Sequence, residues 1–171
     1  YFNAMNVDST APIISGWTSW YQHYTHITPD IVLRNMREFQ RLNIPIQVFQ
    51  IDDGWERAIG DWLEPDEAFE GQMAQLAHEI SSAGYIPGLW IAPFLVEEGS
   101  HVFRDHPEWC VADENGEPLV LGYIPFHWKG RFYALDLYNP GVREYLREVF
   151  RRAVQEWGFR FLKLDFLYGA A

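Results

Sequence analysis

Two stretches of the sequence hold residue types whose spacing suits chemistry. The first is Phe159-Arg160-Phe161-Leu162-Lys163-Leu164-Asp165-Phe166-Leu167-Tyr168, an apolar, aromatic run that reads as a strand yet carries a lysine and an aspartate two residues apart. Side chains alternate across a strand, so Lys163 and Asp165 share one face and Leu162, Leu164 and Phe166 the other. Charges in such a run are costly unless paired, hydrogen-bonded or put to use. A nucleophilic carboxylate has to be ionised, and a neighbouring ammonium favours that form. A structural ion pair or a cap at the strand end fits the stretch equally well. The second stretch is Asp52-Asp53-Gly54-Trp55, which ends another apolar run. With Asp165 it could offer hard oxygen ligands to Mg²⁺ or Ca²⁺. On its own the Asp-Asp-Gly order favours a turn with a helix cap.

The elements that must position these residues can be read in order. Residues 1–12 lack periodicity and read as a connecting segment. A first strand is expected over 13–20, followed by a polar loop holding His23, Tyr24 and His26, whose spacing matches no metal-ligand pattern. Thr28-Pro29-Asp30 starts a helix, with Thr28 as N-cap and Pro29 at the first position, and apolar residues then recur at helical spacing to Asn43. The run 44–51 is a nearly continuous β-branched and aromatic strand, as in parallel sheets covered on both faces. A second helix is expected from near Glu67 to a C′ glycine at Gly84, and a third strand over 85–94. An irregular insertion follows: a helical turn over 100–106, a hairpin turning at Asn115-Gly116, and an extended piece over 132–137. Asn139-Pro140 caps a third helix whose face carries Val142, Tyr145, Leu146, Val149, Ala153 and Trp157, and Gly158 ends it before the final strand.

Composition narrows the class. The chain has 171 residues, 48% hydrophobic and 17% aromatic, enough for one core. No apolar stretch reaches the ~18 residues of a membrane span, and no secretory signal pattern is visible, although the sequence starts at Tyr1. A net charge of −11 argues against nucleic acid and anionic membrane as partners. The single cysteine, Cys110, precludes an internal disulfide and fits a reducing compartment, with the cytoplasm the expected setting. Eight Trp and nine Tyr suit a core with a lined cleft, and flat rings that stack on sugars are one use for them.

Strand and helix alternating with short connections predict an α/β fold with a parallel sheet. No glycine-rich phosphate loop follows the first strand, which weighs against a nucleotide-binding doubly wound fold. Trp20, Asp52, Asp53, Trp90 and Asp165 all fall at or just past the C-terminal ends of successive strands, the active-site rim of a (β/α)₈ barrel. A full barrel takes about 200 residues or more, so four strands amount to roughly its first four βα units, a half-barrel.

The motifs Gly16-Trp17-Thr18-Ser19-Trp20-Tyr21, Phe49-Gln50-Ile51-Asp52-Asp53-Gly54-Trp55, Gly60-Asp61-Trp62, Pro87-Gly88-Leu89-Trp90-Ile91-Ala92-Pro93-Phe94, Tyr133-Ala134-Leu135-Asp136-Leu137 and Leu162-Lys163-Leu164-Asp165-Phe166 resemble, in order, the catalytic barrel of family 36 glycoside hydrolases, the bacterial-type α-galactosidases. The resemblance runs over nearly the whole chain from Gly16. It implies hydrolysis of terminal α-galactosides with retention, without metal or other cofactor, by two aspartates. Asp165 matches the nucleophile and Lys163 a substrate-contacting lysine. Asp52 and Asp53 match the pair that accepts galactose hydroxyls, and Trp20 and Trp90 match aromatic walls. The family's acid/base is an aspartate on a later strand, outside this sequence. A retaining pair stands about 5–5.5 Å apart across the bond, and Asp52 and Asp53, two strands away, are poor candidates for that acid. The isolated chain is accordingly expected to be inactive and to associate with itself through exposed sheet edges. Alternatives are a structural or sugar-binding module without turnover, and the related α-N-acetylgalactosaminidases and galactosyl transferases.

Other residues read as structural. Trp17 and Trp55 suit packing near the rim, Trp62 a loop anchor or rim wall, and Trp109 and Trp128 a small core of the insertion. Cys110 has nothing nearby to make it a nucleophile, His78 faces solvent, and Asp136 caps backbone.

Overall fold

Local sequence explains where most elements begin and end. In the computed structural model, which describes residues 13–170, the chain runs β1 (Gly16–Thr18), α1 (Trp20–His23), α2 (Pro29–Arg41), β2 (Val48–Ile51), α3 (Met73–Ser82) and β3 (Ile86–Ile91). It continues with β4 (Leu95–Glu97), α4 (His101–Asp105), β5 (Val120–Tyr123), β6 (Arg131–Ala134), α5 (Pro140–Arg151) and β7 (Phe161–Leu164). The expected connecting segment over 1–12 lies outside the described residues. Thr28 caps α2 by accepting from the Ile31 N–H, and Asn139 caps α5 by accepting from the Gly141 N–H, each ahead of a proline at the first helical position.

The strands are shorter than their apolar runs. β2 starts at Val48 rather than Ile44 because Pro45 has no N–H to give a ladder, and β1 pairs only where β2 is present, Gly16 facing Val48. Trp20 opens the short helix α1, so the expected loop is replaced there by a helical turn that includes His23. α3 begins at Met73, later than expected, because Gly71 adopts a φ of +71° and interrupts the preceding turns. α5 runs into a wider π-type turn over Arg152–Glu156, closed by Trp157 N–H to the Arg152 carbonyl at 2.9 Å, and Gly158 then redirects the chain with a φ of +85°.

β1, β2, β3 and β7 form one parallel sheet in that order. The expected α/β alternation with parallel strands is therefore present, and the insertion lies between the third and fourth strands. The insertion builds its own antiparallel sheet, β4-β6-β5. The turn at Asn115-Gly116 forms, but its arms are held by one isolated bridge, Ala112 to Pro118, rather than by strands, and a second bridge, Cys110 to Leu135, ties the first arm to the segment after β6. No helix among the described residues is long and apolar enough to cross a membrane.

The main core packs α2, α3 and α5 against the parallel sheet around Phe49, Ile51, Leu89, Ile91 and Phe159. It extends into a tryptophan cluster in which Trp62 lies edge-on to Trp90 and Trp157 edge-on to Trp55. Trp62 is 1% exposed, which makes it an anchor and not a wall of the rim. A second core under the insertion holds Val96, Cys110, Tyr133, Leu135, Val142 and Leu146, with Trp109 packed on it as expected. Burial pushes the Cys110 thiol up to about 12, so the thiolate is inaccessible at neutral pH. Two polar clasps join the cores. Tyr145 on α5 accepts from the Trp62 N–H at 3.0 Å and donates to the Gly60 carbonyl. Buried Glu97 accepts from the Lys129 N–H at 2.6 Å and the Ile59 N–H at 3.3 Å.

Removing the Tyr145 hydroxyl leaves a buried N–H and carbonyl without their partner. Tyr145→Phe should cost about 1–3 kcal/mol of stability, read as a lower midpoint with unchanged slope in urea unfolding.

Candidate active site

All six residues expected at the site, Trp20, Asp52, Asp53, Trp90, Lys163 and Asp165, line one cavity of about 190 Å³ at the C-terminal ends of the parallel strands. Register explains the convergence. Trp90 faces Lys163 across β3 and β7, and Asp52 follows Ile51, which faces Leu89 across β2 and β3. Asp52, Trp90 and Lys163 thus stand in one row across three strands, with Asp165 one residue beyond β7.

Asp52 is 2% exposed and densely bonded. Its Oδ2 accepts from Gln50 Nε2 at 2.6 Å, Lys163 Nζ at 3.0 Å and Thr18 Oγ1 at 3.1 Å, while Oδ1 accepts from the Asp53 N–H. Its own N–H donates to buried Ser19 at 2.9 Å. Lys163 also lies 3.5 Å from Asp165 Oδ2. The ammonium therefore stands between the two carboxylates, in the place where the hard-cation reading of Asp52, Asp53 and Asp165 would need its ion. The turn expected at Asp52-Asp53-Gly54 is present, but no helix follows it to be capped. Gly54 has a φ of +112°, and a Cβ there would come within 2.6 Å of the Thr25 carbonyl oxygen, so only glycine lets the loop fold tightly enough to aim both carboxylates.

Asp165 is held from three sides. Trp90 Nε1 donates to Oδ2 at 3.0 Å, the Phe166 N–H donates to Oδ1 at 2.9 Å, and Lys163 adds its charge. Phe166 adopts a φ of +52°, which turns the chain sharply after β7. Partial burial pushes the Asp165 carboxyl up, but these donors and the lysine outweigh it and hold the group below the usual carboxylate range. Burial likewise opposes the charge on Lys163, and Asp52 followed by Asp165 overcomes it and raises the ammonium. Trp90 is only 2% exposed, so its contribution here is the indole N–H more than an open ring face. Trp20 is half-buried and packs edge-on to His127 and Tyr24.

The sequence model of the family described as Melibiase matches residues 4–168. The chain belongs to the melibiase family. An α-galactosidase from Thermus thermophilus, solved with p-nitrophenyl α-D-galactopyranoside, is similar with a TM-score of 0.85 and 43% identity, over 95% of this chain and 32% of that one. The same enzyme solved with stachyose gives 0.84 and 44%, over 95% of this chain and 34% of that one. A curated α-galactosidase from Escherichia coli is 25% identical over 155 residues, 86% of this chain and 20% of the relative. The chain therefore spans about a third of the Thermus enzyme and a fifth of the Escherichia coli one.

The insertion enters the site, which local pattern did not disclose. Ile124, His127 and Trp128 complete the cavity wall, and Phe166 joins them. Trp128, expected in the insertion's own core, is instead buried in the main core and donates from Nε1 to Asp53 Oδ2 at 3.0 Å. Residues 124–130 follow no strand or helix period, so only the fold brings Trp128 to Asp53. Glu56 also went unnoticed, although it is the third acid in a window of five residues within an otherwise apolar region. It is 6% exposed and adjoins Asp53. His78 is exposed, and Asp136 accepts from the Tyr138 N–H at 2.8 Å, each as expected.

Trp90→Phe keeps the ring volume and removes the N–H given to Asp165. The Asp165 carboxyl of that variant should titrate at a higher pH than in the unmodified chain, measured by ¹³C NMR of labelled aspartate carboxyls.

Proposed function

We propose that this chain supplies the first four βα units of a (β/α)₈ barrel and, with them, the galactose-binding side and the nucleophile of a retaining α-galactosidase. Four parallel strands in chain order, with all the candidate residues at their C-terminal ends, support the barrel reading. The observation that carries the function is the Asp165 carboxylate, held ionised by Trp90, Phe166 and Lys163 across a small cavity from buried Asp52 and Asp53. Complexes of the Thermus relative with an aryl α-galactoside and with stachyose support α-galactosides as the substrate class.

In this reading the Asp165 oxygen attacks the anomeric carbon as the bond to the aglycone oxygen breaks, and the departing oxygen takes a proton from an acid on a strand beyond this sequence. Water then adds to the anomeric carbon, gives its proton back to that residue and releases Asp165. Asp52 and Asp53 accept sugar hydroxyls, and Lys163 both contacts substrate and offsets the charge of the two carboxylates. Trp20 offers a ring face at the mouth. With one carboxylate of the catalytic pair, the chain binds galactosides without turning them over.

The purified chain should quench or shift its tryptophan fluorescence on adding galactose, while an aryl α-galactoside remains uncleaved. Cleavage that vanishes in Asp165→Ala would show the acid to lie within this chain and overturn that part of the reading. Within a longer protein that completes the barrel, an activated 2-fluoro-galactoside should leave its sugar on the peptide carrying Asp165, read by mass spectrometry. An adduct elsewhere would remove the nucleophile assignment.

β1 and β7 each have a single neighbour in the parallel sheet among the described residues, and Ile14, just before β1, and Leu164, the last residue of β7, are 43% and 40% exposed. Such edges template pairing with another strand. The isolated chain should therefore run as a dimer or larger in light scattering, and a strictly monomeric profile would count against edge pairing.

A further inference from the structure

We propose that Glu56 is a positioning residue: it shares a single proton with Asp53 and so fixes the Asp53 carboxylate as an acceptor in the sugar cavity. The proposal rests on the reading of Asp53 as a sugar contact and goes beyond it, because Glu56 does not line that cavity. Glu56 lies behind Asp53, in an adjoining cavity of about 170 Å³ separated from the first by Asp53, His127 and Trp128.

The geometry requires the proton. Asp53 and Glu56 are 4% and 6% exposed, and their carboxyls lie within hydrogen-bonding reach of each other. Neither forms an ion pair among the described residues. The groups that face them do not supply a countercharge. Asp52, Asp66 and Glu97 add negative charge, and the Arg57 guanidinium is committed to Asp61 at 2.5 Å and Glu64 at 3.3 Å. Lys129 acts on Glu97, and His127, which acts on Asp53, is exposed. Two buried like charges at contact cannot both be ionised without a cation, so one carboxyl keeps its proton. That proton belongs on Glu56. Trp128 Nε1 donates to Asp53 Oδ2 at 3.0 Å and favours the charged form of Asp53, whereas Glu56 has no side-chain N–H donor and meets only backbone N–H groups, its own and that of Gly54 at 3.3 and 3.4 Å. Burial, foremost, raises both groups, Glu56 well above the usual range.

The shared proton has a mechanical consequence. Asp53 is clamped between two donors, the Trp128 indole from the insertion and the Glu56 hydroxyl from its own loop, leaving its remaining lone pairs aimed at the cavity. Loss of the proton would set two carboxylates against each other and swing Asp53 away from the position in which it meets the sugar.

The sign for stability follows from a carboxyl raised in the folded state. The pair stabilises the fold fully below the ordinary carboxylate range, and that contribution is lost as pH rises through the raised value. Three measurements on the whole chain test the proposal. ¹³C titration of the unmodified protein should show one glutamate carboxyl protonated well above the ordinary range, and the absence of any such carboxyl would overturn it. Urea unfolding from pH 5 to 9 should show a loss of stability with pH that is reduced in Glu56→Gln; equal slopes would overturn it. Galactose affinity, followed by tryptophan fluorescence, should fall about tenfold per pH unit beyond the loss of the proton in the unmodified chain. Glu56→Gln, whose amide still donates but does not titrate, should bind more weakly than the unmodified chain at pH 5, better than Glu56→Leu, and without that fall. An affinity flat in pH beside a sloping stability would make Glu56 purely structural and overturn the positioning role. Sugar binding unchanged in Asp53→Asn would overturn the reading of Asp53 as a contact, and the positioning role with it, while the unfolding slopes still report the proton.

Discussion

The site depends on one ammonium placed between two carboxylates. Lys163 comes from the last strand of the sheet and Asp52 from the end of the second, so their 3.0 Å contact exists only if β3 lies between them in the correct register. A slip of one residue would turn Lys163 to the opposite face and leave Asp52, 2% exposed, without its cation. Lys163 is partly exposed, so the pair contributes modest net stability, and the contact enforces register more than it holds the fold together. Stability comes from the apolar layers on either side, where Phe49, Ile51, Leu89 and Ile91 are each fully buried.

The same lysine sets the electrostatic character of the cavity. It offsets Asp52 and Asp165 and, with the Trp90 and Phe166 N–H groups, keeps Asp165 ionised despite partial burial. A few residues away the opposite condition holds: Asp53 and Glu56 have no lysine, and burial raises both. Carboxyls in one small region are thus pushed in opposite directions by the presence or absence of a cation, a pattern common where charge is put to work.

The insertion between β3 and β7 is a structural part of the site. Trp128 reaches Asp53, Glu97 pins the loop that carries Trp128, and Tyr145 ties α5 to the loop after β2. Each bond joins segments tens of residues apart in sequence, so the cavity closes only when both sheets have formed.

The sequence by itself determined the parallel alternation of strand and helix, the capped starts of α2 and α5, and six residues of the cavity. Those features are local: a β-branched run, a Thr or Asn before a proline, and a charge standing out at the end of an apolar strand follow from a few neighbouring residues. The order and spacing of the motifs also disclosed the family, four of them lying on or just past a strand of the parallel sheet. Tertiary structure alone decided the rest. It shortened β2 behind Pro45, moved Trp128 from the insertion's core to the cavity wall, and set Glu56 against Asp53. None of these could be read from periodicity, because each depends on which distant backbone approaches and on whether a countercharge arrives with it. Burial and pairing are properties of the assembled surroundings, and they decide whether a carboxyl such as Asp165 stays charged or one such as Glu56 keeps its proton.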